Sequence, residues 1–538
     1  MKNFWKKIIS LESKSISSGA IVIALFYILN GLLGLLRNGL LAYKFGASRI
    51  LDIYWASFKI PDLIYVIFIS GALSAGFIPF FSQKLKQSKE EAWKLANNIL
   101  STLTLIMTIA AFIVILLAPL LVSLIVPGFN IEEQNQVVNF LRIMMIQPIF
   151  LGISSILSGV LQTFRRFFIT SLSPLFYNIG IIIGILFLTN FLGPIGLAYG
   201  VVLGSILHFL IILPALKSTG FHFHFLPNFK SENLKKLFSI AGPRTLSLIS
   251  TQINFFVITI IASRLEKGSL AIFNFANDLQ YLPQNVFAVS FAISAFPILS
   301  FLIDNKYEFN KIFIKTIKNI LFFLIPISIF YFVFSNSLVG ITLNYGNFDL
   351  SAKNAVSEIL KIFSLGMIAS SLLPLLIRVF FAQGDAYRPF FAGLSTNVIN
   401  IILSLILAPR FGLKGLTTAF VLSSCFNLFI LLVMIKKRKI IEENSVKKWR
   451  QLIQFILIII AFSLLSGLVS YFYLYCFEKF ISNFSFITML IQLILGGIIF
   501  LAIYCFLSYF FIKDEFKEII KDIPLVNKFL KNSNEKYS

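Results

Sequence analysis

The chain has 538 residues, 58% of them hydrophobic and 13% charged, a balance too apolar for a water-soluble protein of this length. Its net charge of +23 would suit nucleic acid in a soluble chain, but here the basic residues sort by loop, so membrane orientation accounts for them and no nucleic-acid partner is expected. The three cysteines, Cys425, Cys476 and Cys505, all lie in apolar runs, so neither a disulfide framework nor a metal cluster follows.

Apolar runs of roughly 20 residues recur from end to end, the pattern of a polytopic helical membrane protein. The alternating segments of a β-barrel are missing. The first run follows Lys2, Lys6, Lys7 and Lys14 and contains Arg37; it is too long for a cleaved signal peptide and reads as a retained helix. Fourteen spans are expected: 17–43, 52–82, 95–125, 137–162, 167–190, 195–216, 236–263, 269–302, 312–334, 354–382, 388–408, 413–435, 451–476 and 485–512. With Lys236, Lys315, Lys318, Arg388 and Lys414, near span ends, counted with the adjoining loops, segments on the N-terminal side of these spans carry 32 Lys and Arg, those on the other side eight, and six fall deeper inside spans. The asymmetry predicts that both termini are cytoplasmic.

Residues 161–216 align without gaps on 380–435, a shift of 219. Asn178 falls on Asn397, Gly193 on Gly412, Gly196 on Gly415 and Leu197 on Leu416. Each copy is a polar cytoplasmic turn, a helix, a short glycine-containing turn and a second helix. Because span five maps to eleven and six to twelve, the copies share orientation, which implies two six-helix lobes and a transporter-like plan. The predicted organisation is therefore all-α: an N-lobe over 1–216, a C-lobe over 217–435, a linker with two further helices over 436–512, and a tail over 513–538. The start of that tail reads as an amphipathic surface helix.

Span two, within LDIYWASFKIPDLIYVIFISGALSAGFIP (51–79), holds Asp52, Lys59 and Asp62, followed by a small-residue patch that includes Gly71, Ser74 and Gly76. Charge at the centre of a bilayer costs roughly 2.5–3.5 kcal/mol per residue on insertion scales, so such residues face a cavity, an ion partner or an interface. Small residues let a neighbouring helix or a substrate approach the backbone, which makes that patch a gating or packing candidate. Arg37 in span one lies too deep to snorkel, whereas Arg244, near the start of span seven, and Arg378, near the end of span ten, lie closer to helix ends. Asp278 is a further intramembrane acid, in span eight. Several cations in a bilayer cavity would suit an anion, and the arginine fork suits phosphate in particular. No catalytic constellation is evident. His222 and His224 in FHFHF lack neighbouring ligands for a metal, and no phosphate-binding loop for ATP is present, so neither cofactor nor metal is expected.

The stretch from Asn30 to Gln83 resembles the N-terminal signature of the MurJ (MviN) family, lipid II flippases of the multidrug/oligosaccharidyl-lipid/polysaccharide exporter superfamily. The matching elements are Leu-Gly-x-x-Arg ending at Arg37, Phe-Gly-Ala at 45–47, Asp52, Pro-Asp at 61–62 and Gly-Ala-x-Ser-x-x-Phe-Ile-Pro at 71–79, with further likeness at 126–129, 242–254 and 275–300. The resemblance implies alternating-access transfer of an undecaprenyl-pyrophosphate-linked peptidoglycan precursor, lipid II, from the inner to the outer leaflet of the bacterial cytoplasmic membrane. It also implies a cationic cavity between two lobes, a groove for the lipid tail on the last two helices, contact with membrane lipids, cell-wall synthesis proteins as candidate partners, and a monomeric, non-enzymatic chain. Of the family's cavity arginines only Arg37 stands at its position. Others correspond to Gly31, Tyr65, Val66 and either Asn277 or Asp278, and the acidic residue after the first arginine is Asn38. The substrate-binding expectation is thus Arg37, Asn38, Asp52, Lys59, Arg244, Asp278 and Arg378, with Lys59 and Arg244 supplying missing charge. The alternatives are an exporter of another lipid-linked oligosaccharide, a drug antiporter of the same superfamily (disfavoured by fourteen spans), or a membrane scaffold or transferase.

Overall fold

A computed structural model describes residues 16–70, 77–438, 446–480 and 485–521. Among them the regular structure is helical, which gives every backbone polar group the internal partner that a lipid environment demands. In chain order the α-helices are α1 (Ile16–Phe45), α2 (Arg49–Ser57), α3 (Lys59–Tyr65), α4 (Ile78–Gln87), α5 (Lys89–Ile125), α6 (Ile131–Met144), α7 (Gln147–Thr163), α8 (Phe167–Ile183), α9 (Thr189–Leu192), α10 (Gly196–Leu210) and α11 (Leu213–Lys217). They continue as α12 (Glu232–Ala262), α13 (Ser269–Pro283), α14 (Ser290–Phe301), α15 (Lys306–Leu343), α16 (Leu350–Ala382), α17 (Tyr387–Lys437), α18 (Val446–Phe480), α19 (Phe486–Phe511) and α20 (Lys513–Lys521).

Ten stretches among the described residues are long and apolar enough to cross a bilayer. Two of them, Phe167–Lys217 and Tyr387–Lys437, are hairpins that each hold two spans. The second span is broken into α2, α3, a π-turn at Val66–Ser70 and α4. The seventh appears only as the shorter apolar run Leu248–Ala262 at the end of α12. With these the chain has about fourteen spans, as its sequence implies. On α5 the residues Phe112, Leu116, Leu120 and Leu124, four apart, are all about 60% exposed, an apolar stripe that only lipid would cover.

The two hairpins share one geometry. Gly193 and Gly412 both take positive φ at the bend (68° and 56°). In the first hairpin the chains approach so closely that a methyl group on Gly180 would meet the Gly204 backbone, one on Gly184 would lie 2.5 Å from Gly200 Cα, and one on Gly196 2.6 Å from the Leu188 carbonyl carbon. In the second, Gly415 faces the Leu407 carbonyl, the same pair shifted by 219. Small residues four apart on facing helices are the usual device for close helix contact in lipid. The repeat extends to partners outside the hairpin: Asn178 Nδ2 donates to Asn30 of α1 at 2.9 Å, and its counterpart Asn397 Nδ2 donates to the Ser250 carbonyl of α12 at 2.7 Å.

The helices fall into two compact units. One contains the chain through Leu279 together with Thr342–Val356 and Asp385–Ser423; the other contains Gln280–Ile341, Ser357–Gly384 and the chain from Ser424 onward. In the second unit α18 and α19 pack on α15, with Gly467 against Ile329, Gly496 against the Phe334 ring and Tyr504 Oη donating to the Phe322 carbonyl at 2.8 Å. The amphipathic α20 begins the tail where the sequence predicts it. It lies along the start of α15, joined by Lys315–Glu518 (3.1 Å), Lys318–Glu515 (3.7 Å) and the Phe516–Phe322 ring contact.

In the first unit an extended segment runs along α5 before α12 begins. Asn97 bonds the His222 carbonyl and the His224 N–H, and Ser101 bonds the His224 carbonyl and the Leu226 N–H. Side chains of a helix thus satisfy backbone that belongs to no helix or sheet.

Candidate functional site

Arg37 sits nearly six turns into α1, and its guanidinium is fully engaged with polar neighbours. Nη2 lies 3.4 Å from Asp278 Oδ2 on α13 and 3.0 Å from Asn38 Oδ1. Nη1 donates to Asn178 Oδ1 on α8 at 3.2 Å, and the group stands 6.0 Å from the centre of the Trp55 ring. Asn38 Nδ2 donates to the same Asp278 oxygen at 2.9 Å, and Asn178 passes the chain on to Asn30. The outcome is a relay, Asp278–Arg37–Asn178–Asn30, spanning three helices with Asn38 as a brace. Arg37 and Asp278 remain 18% and 30% exposed, so the pair is reachable from outside the packed core.

Lys59 opens α3 with its ammonium 5.6 Å from the centre of the Phe255 ring, a cation–π arrangement. Asp62 follows one turn later, near the Lys59 charge and beside the Gln147 amide. Asp278 lies within electrostatic reach of both Arg37 and Lys59. Two cations and two carboxylates therefore share this region of the first unit. Tyr65 bonds Ser155 at 2.9 Å, and Val66 begins the π-turn.

Asp52 is organised differently. It is 1% exposed, and each of its oxygens accepts a backbone N–H at the start of α13, Gly268 at 2.7 Å and Ala271 at 2.9 Å. A carboxylate there meets the positive end of the helix dipole and its unpaired N–H groups. Arg49 Nη1 donates to Asp52 at 3.2 Å, its Nε lies 3.3 Å from Glu133 as an ion pair, and the guanidinium stacks 4.2 Å from the Phe129 ring centre. Nearby, Asn347 N–H donates to the Tyr43 carbonyl at 2.9 Å, and Gly268, at φ +87°, has no room for a side chain against Ala47.

The structure thus brings Arg37, Asn38, Lys59 and Asp278 together and gives Asp52 a capping position. Arg378 belongs to the other unit, where its Nη1 donates to the Pro374 carbonyl at 3.0 Å. The Arg244 side chain, and Gly71, Ser74 and Gly76, lie outside the described residues. Asn30, Trp55 and Gln147 are members of the site that the sequence reading did not single out. The available signal was spacing: Asn30 and Arg37 are seven apart, two turns on one face of α1.

Charged and amide side chains linking separate helices inside a multi-pass all-α fold with repeated hairpins define this chain as a membrane transporter by class. The comparisons with known proteins agree and go further. The family model described as lipid II flippase MurJ matches residues 41–493, and the chain belongs to that family. It is 28% identical over 528 residues to a probable lipid II flippase MurJ of Buchnera aphidicola subsp. Acyrthosiphon pisum, covering 95% of this chain and 99% of the relative. Among solved structures it resembles a lipid II flippase MurJ in an inward closed conformation (TM-score 0.74, 26% identity, 91% of this chain and 99% of that one). It shares its fold with an inward-facing MATE family transporter of the MOP superfamily (TM-score 0.64, 15% identity, 78% of this chain and 98% of that one).

Proposed function

We propose that this chain moves lipid II from the cytoplasmic to the outer leaflet of the bacterial inner membrane by alternating access, without catalysing a covalent reaction. The observation that carries the reading is the Arg37–Asp278 pair, an accessible guanidinium held in a relay of amides inside a chain of the lipid II flippase family. The planar fork of a guanidinium presents two parallel N–H donors to two phosphate oxygens, a fixed geometry that the point charge of an ammonium lacks. In this mechanism the pyrophosphate of the arriving lipid replaces Asp278 as the partner of Arg37, Asn38 donates to it, and Lys59 adds charge. Asp278 then recaptures Arg37 when the lipid leaves, so the cation always has a counter-charge. Arg244 and Arg378 are candidates for supplementary charge, while Asp52 acts by capping α13.

In the same reading residues 1–216 and 217–435 are the two moving lobes, 436–512 adds two helices for the lipid tail, and 513–538 is a cytoplasmic tail. The 32-to-8 distribution of Lys and Arg supports placing both termini in the cytoplasm. The chain works as a monomer among membrane lipids, with cell-wall synthesis proteins as candidate partners. The test is a leaflet-accessibility assay for lipid II in cells depleted of their own flippase. Expression of this chain should restore lipid II to the outer leaflet, and no restoration at normal expression overturns the proposal.

One observation supports a second reading. The two cations of the cluster are matched by Asp62 and Asp278, so the site carries little net charge for a dianion. A lipid-linked oligosaccharide with a less charged head would suit that balance, and the same assay with such a lipid separates the two.

A further inference from the structure

A cavity of about 310 Å³ opens among α1, the end of α7 and the start of α8, all within the first unit. Phe26, Phe167 and Pro174 form apolar walls. Tyr27, Asn30, Gln162, Thr170 and Ser171 supply polar groups.

Two features tie this cavity to the Arg37 relay. The first is helical register. Phe26, Asn30 and Arg37 share one face of α1, and Phe167, Ser171, Pro174 and Asn178 share one face of α8. At 1.5 Å per residue Asn30 lies about 10 Å along the helix axis from Arg37, toward the N-terminal end of α1. The second is bonding. Asn178 donates to Asn30 Oδ1, while its own oxygen accepts from Arg37. That bond fixes the Asn30 amide so that its NH₂ is left to donate. Among the described residues neither that NH₂ nor the side chains of Gln162 and Ser171 have a hydrogen-bond partner in the protein. Polar groups within a membrane-spanning fold are costly unless water or a ligand satisfies them.

We infer that this cavity is a subsite for the uncharged, hydroxyl- and amide-bearing sugar next to the phosphates, with Asn30, Gln162 and Ser171 as specificity-determining residues. The inference rests on the function proposed above. A ligand that places its pyrophosphate on Arg37 and extends along the shared face of α1 and α8 brings its first sugar to Asn30. Phe26 and Phe167 offer apolar surface to the C–H faces of the ring. The volume lies at the lower end of small-molecule sites, which run from roughly 300 to 1,000 Å³, so the cavity takes one ring rather than a whole glycan. Asn178 is then a positioning residue, because it orients both the phosphate-binding guanidinium and the sugar-binding amide.

The test uses the full chain purified into lipid nanodiscs and two probes, lipid II and undecaprenyl pyrophosphate, which has the same phosphates and no sugar. The Gln162→Leu/Ser171→Ala double variant should bind lipid II about tenfold more weakly, the loss of one or two good hydrogen bonds, and bind undecaprenyl pyrophosphate as the native chain does. Ser171→Phe, which fills the cavity, should show the same split. Retained binding of the sugar-free probe establishes that each variant is folded. Equal losses for both probes, or unchanged binding of both, overturn the inference. If the native chain binds undecaprenyl pyrophosphate and not lipid II, the proposed function itself fails, and the subsite falls with it.

Discussion

Arg37 and Asp278, 241 residues apart in sequence, meet through Nη2 and Oδ2 at 3.4 Å, and Asn38 donates to that same carboxylate oxygen at 2.9 Å. The contact joins the first and eighth spans. It also neutralises the arginine that the family resemblance marks for substrate. The separation is long for a charge-assisted bond, which ordinarily measures about 2.7–2.9 Å, and both side chains are partly open. An ion pair of that kind contributes about 1 kcal/mol or less, so an arriving phosphate can displace it.

Removing the competitor should therefore strengthen the anion site. Asp278→Asn keeps the shape and an acceptor for Asn38 while deleting the charge. Affinity for undecaprenyl pyrophosphate should rise about fivefold, the equivalent of about 1 kcal/mol. A direct titration in nanodiscs measures it, and an unchanged dissociation constant means that Asp278 does not compete with the ligand.

A double variant separates a structural role of Arg37 from a binding role. If the arginine serves only to neutralise Asp278, Arg37→Ala will fail to complement a flippase-depleted strain and Arg37→Ala/Asp278→Ala will rescue it, because the uncompensated acid has gone. If Arg37 binds substrate, both variants fail although both are present in the membrane at normal level. We expect the second outcome, with complementation and protein abundance scored together.

Much of this architecture is legible in the chain. Apolar runs and basic loops define the spans, and Gly193 and Gly412 mark the bends of the repeated hairpins. Two spans are less plain in the structure than in the sequence, for physical reasons. Span two carries Asp52, Lys59 and Asp62, is interrupted at Phe58 and passes into a π-turn at Val66–Ser70, and span seven begins with a polar stretch before Leu248. The site itself was half legible. Arg37 and Asp278 draw attention because a charge in lipid is costly. Asn30 and Asn178 do not, since a lone amide in an apolar run has no preferred partner until helices are packed. The shift of 219 that places Asn178 on Asn397 was the one sequence clue, and both asparagines do bond from a hairpin to a neighbouring helix. The pairing of Asp52 with the N-terminus of α13 was not legible at all, because backbone N–H groups carry no residue signature.

That capping contact predicts a graded response. Asp52→Ala removes acceptors from the Gly268 and Ala271 N–H groups and leaves Arg49 with Glu133 alone, so it should cost about 1–3 kcal/mol of stability. Asp52→Asn retains one good acceptor and should cost about half as much. Thermal midpoints in detergent should fall in that order. A cysteine placed at Ala47 in a cysteine-free background, beside Gly268, should react faster with a polar maleimide in the Asp52→Ala variant. Equal reactivity would show that the cap does not hold Gly268 against Ala47.

The glycines divide into those that the packing requires and those that it does not. Gly184 faces Gly200 across the first hairpin, so Gly184→Ala forces two backbones apart and should destabilise by about 1–3 kcal/mol, the range for overpacking. Gly415→Ala, against the Leu407 carbonyl in the second hairpin, should behave alike if the repeat is a repeat of packing as well as of sequence. Gly34 is the contrast. It lies within α1, three residues before Arg37, and a methyl group there meets nothing within 4 Å. Relative to glycine, alanine stabilises a helix interior by roughly 0.5–1 kcal/mol, so Gly34→Ala should leave the thermal midpoint equal or higher. Its effect on transport is then free of any folding defect. A stable Gly34→Ala protein that fails in the lipid II accessibility assay assigns the open space beside Arg37 to the passage of substrate, whereas full activity assigns that space no role in transport.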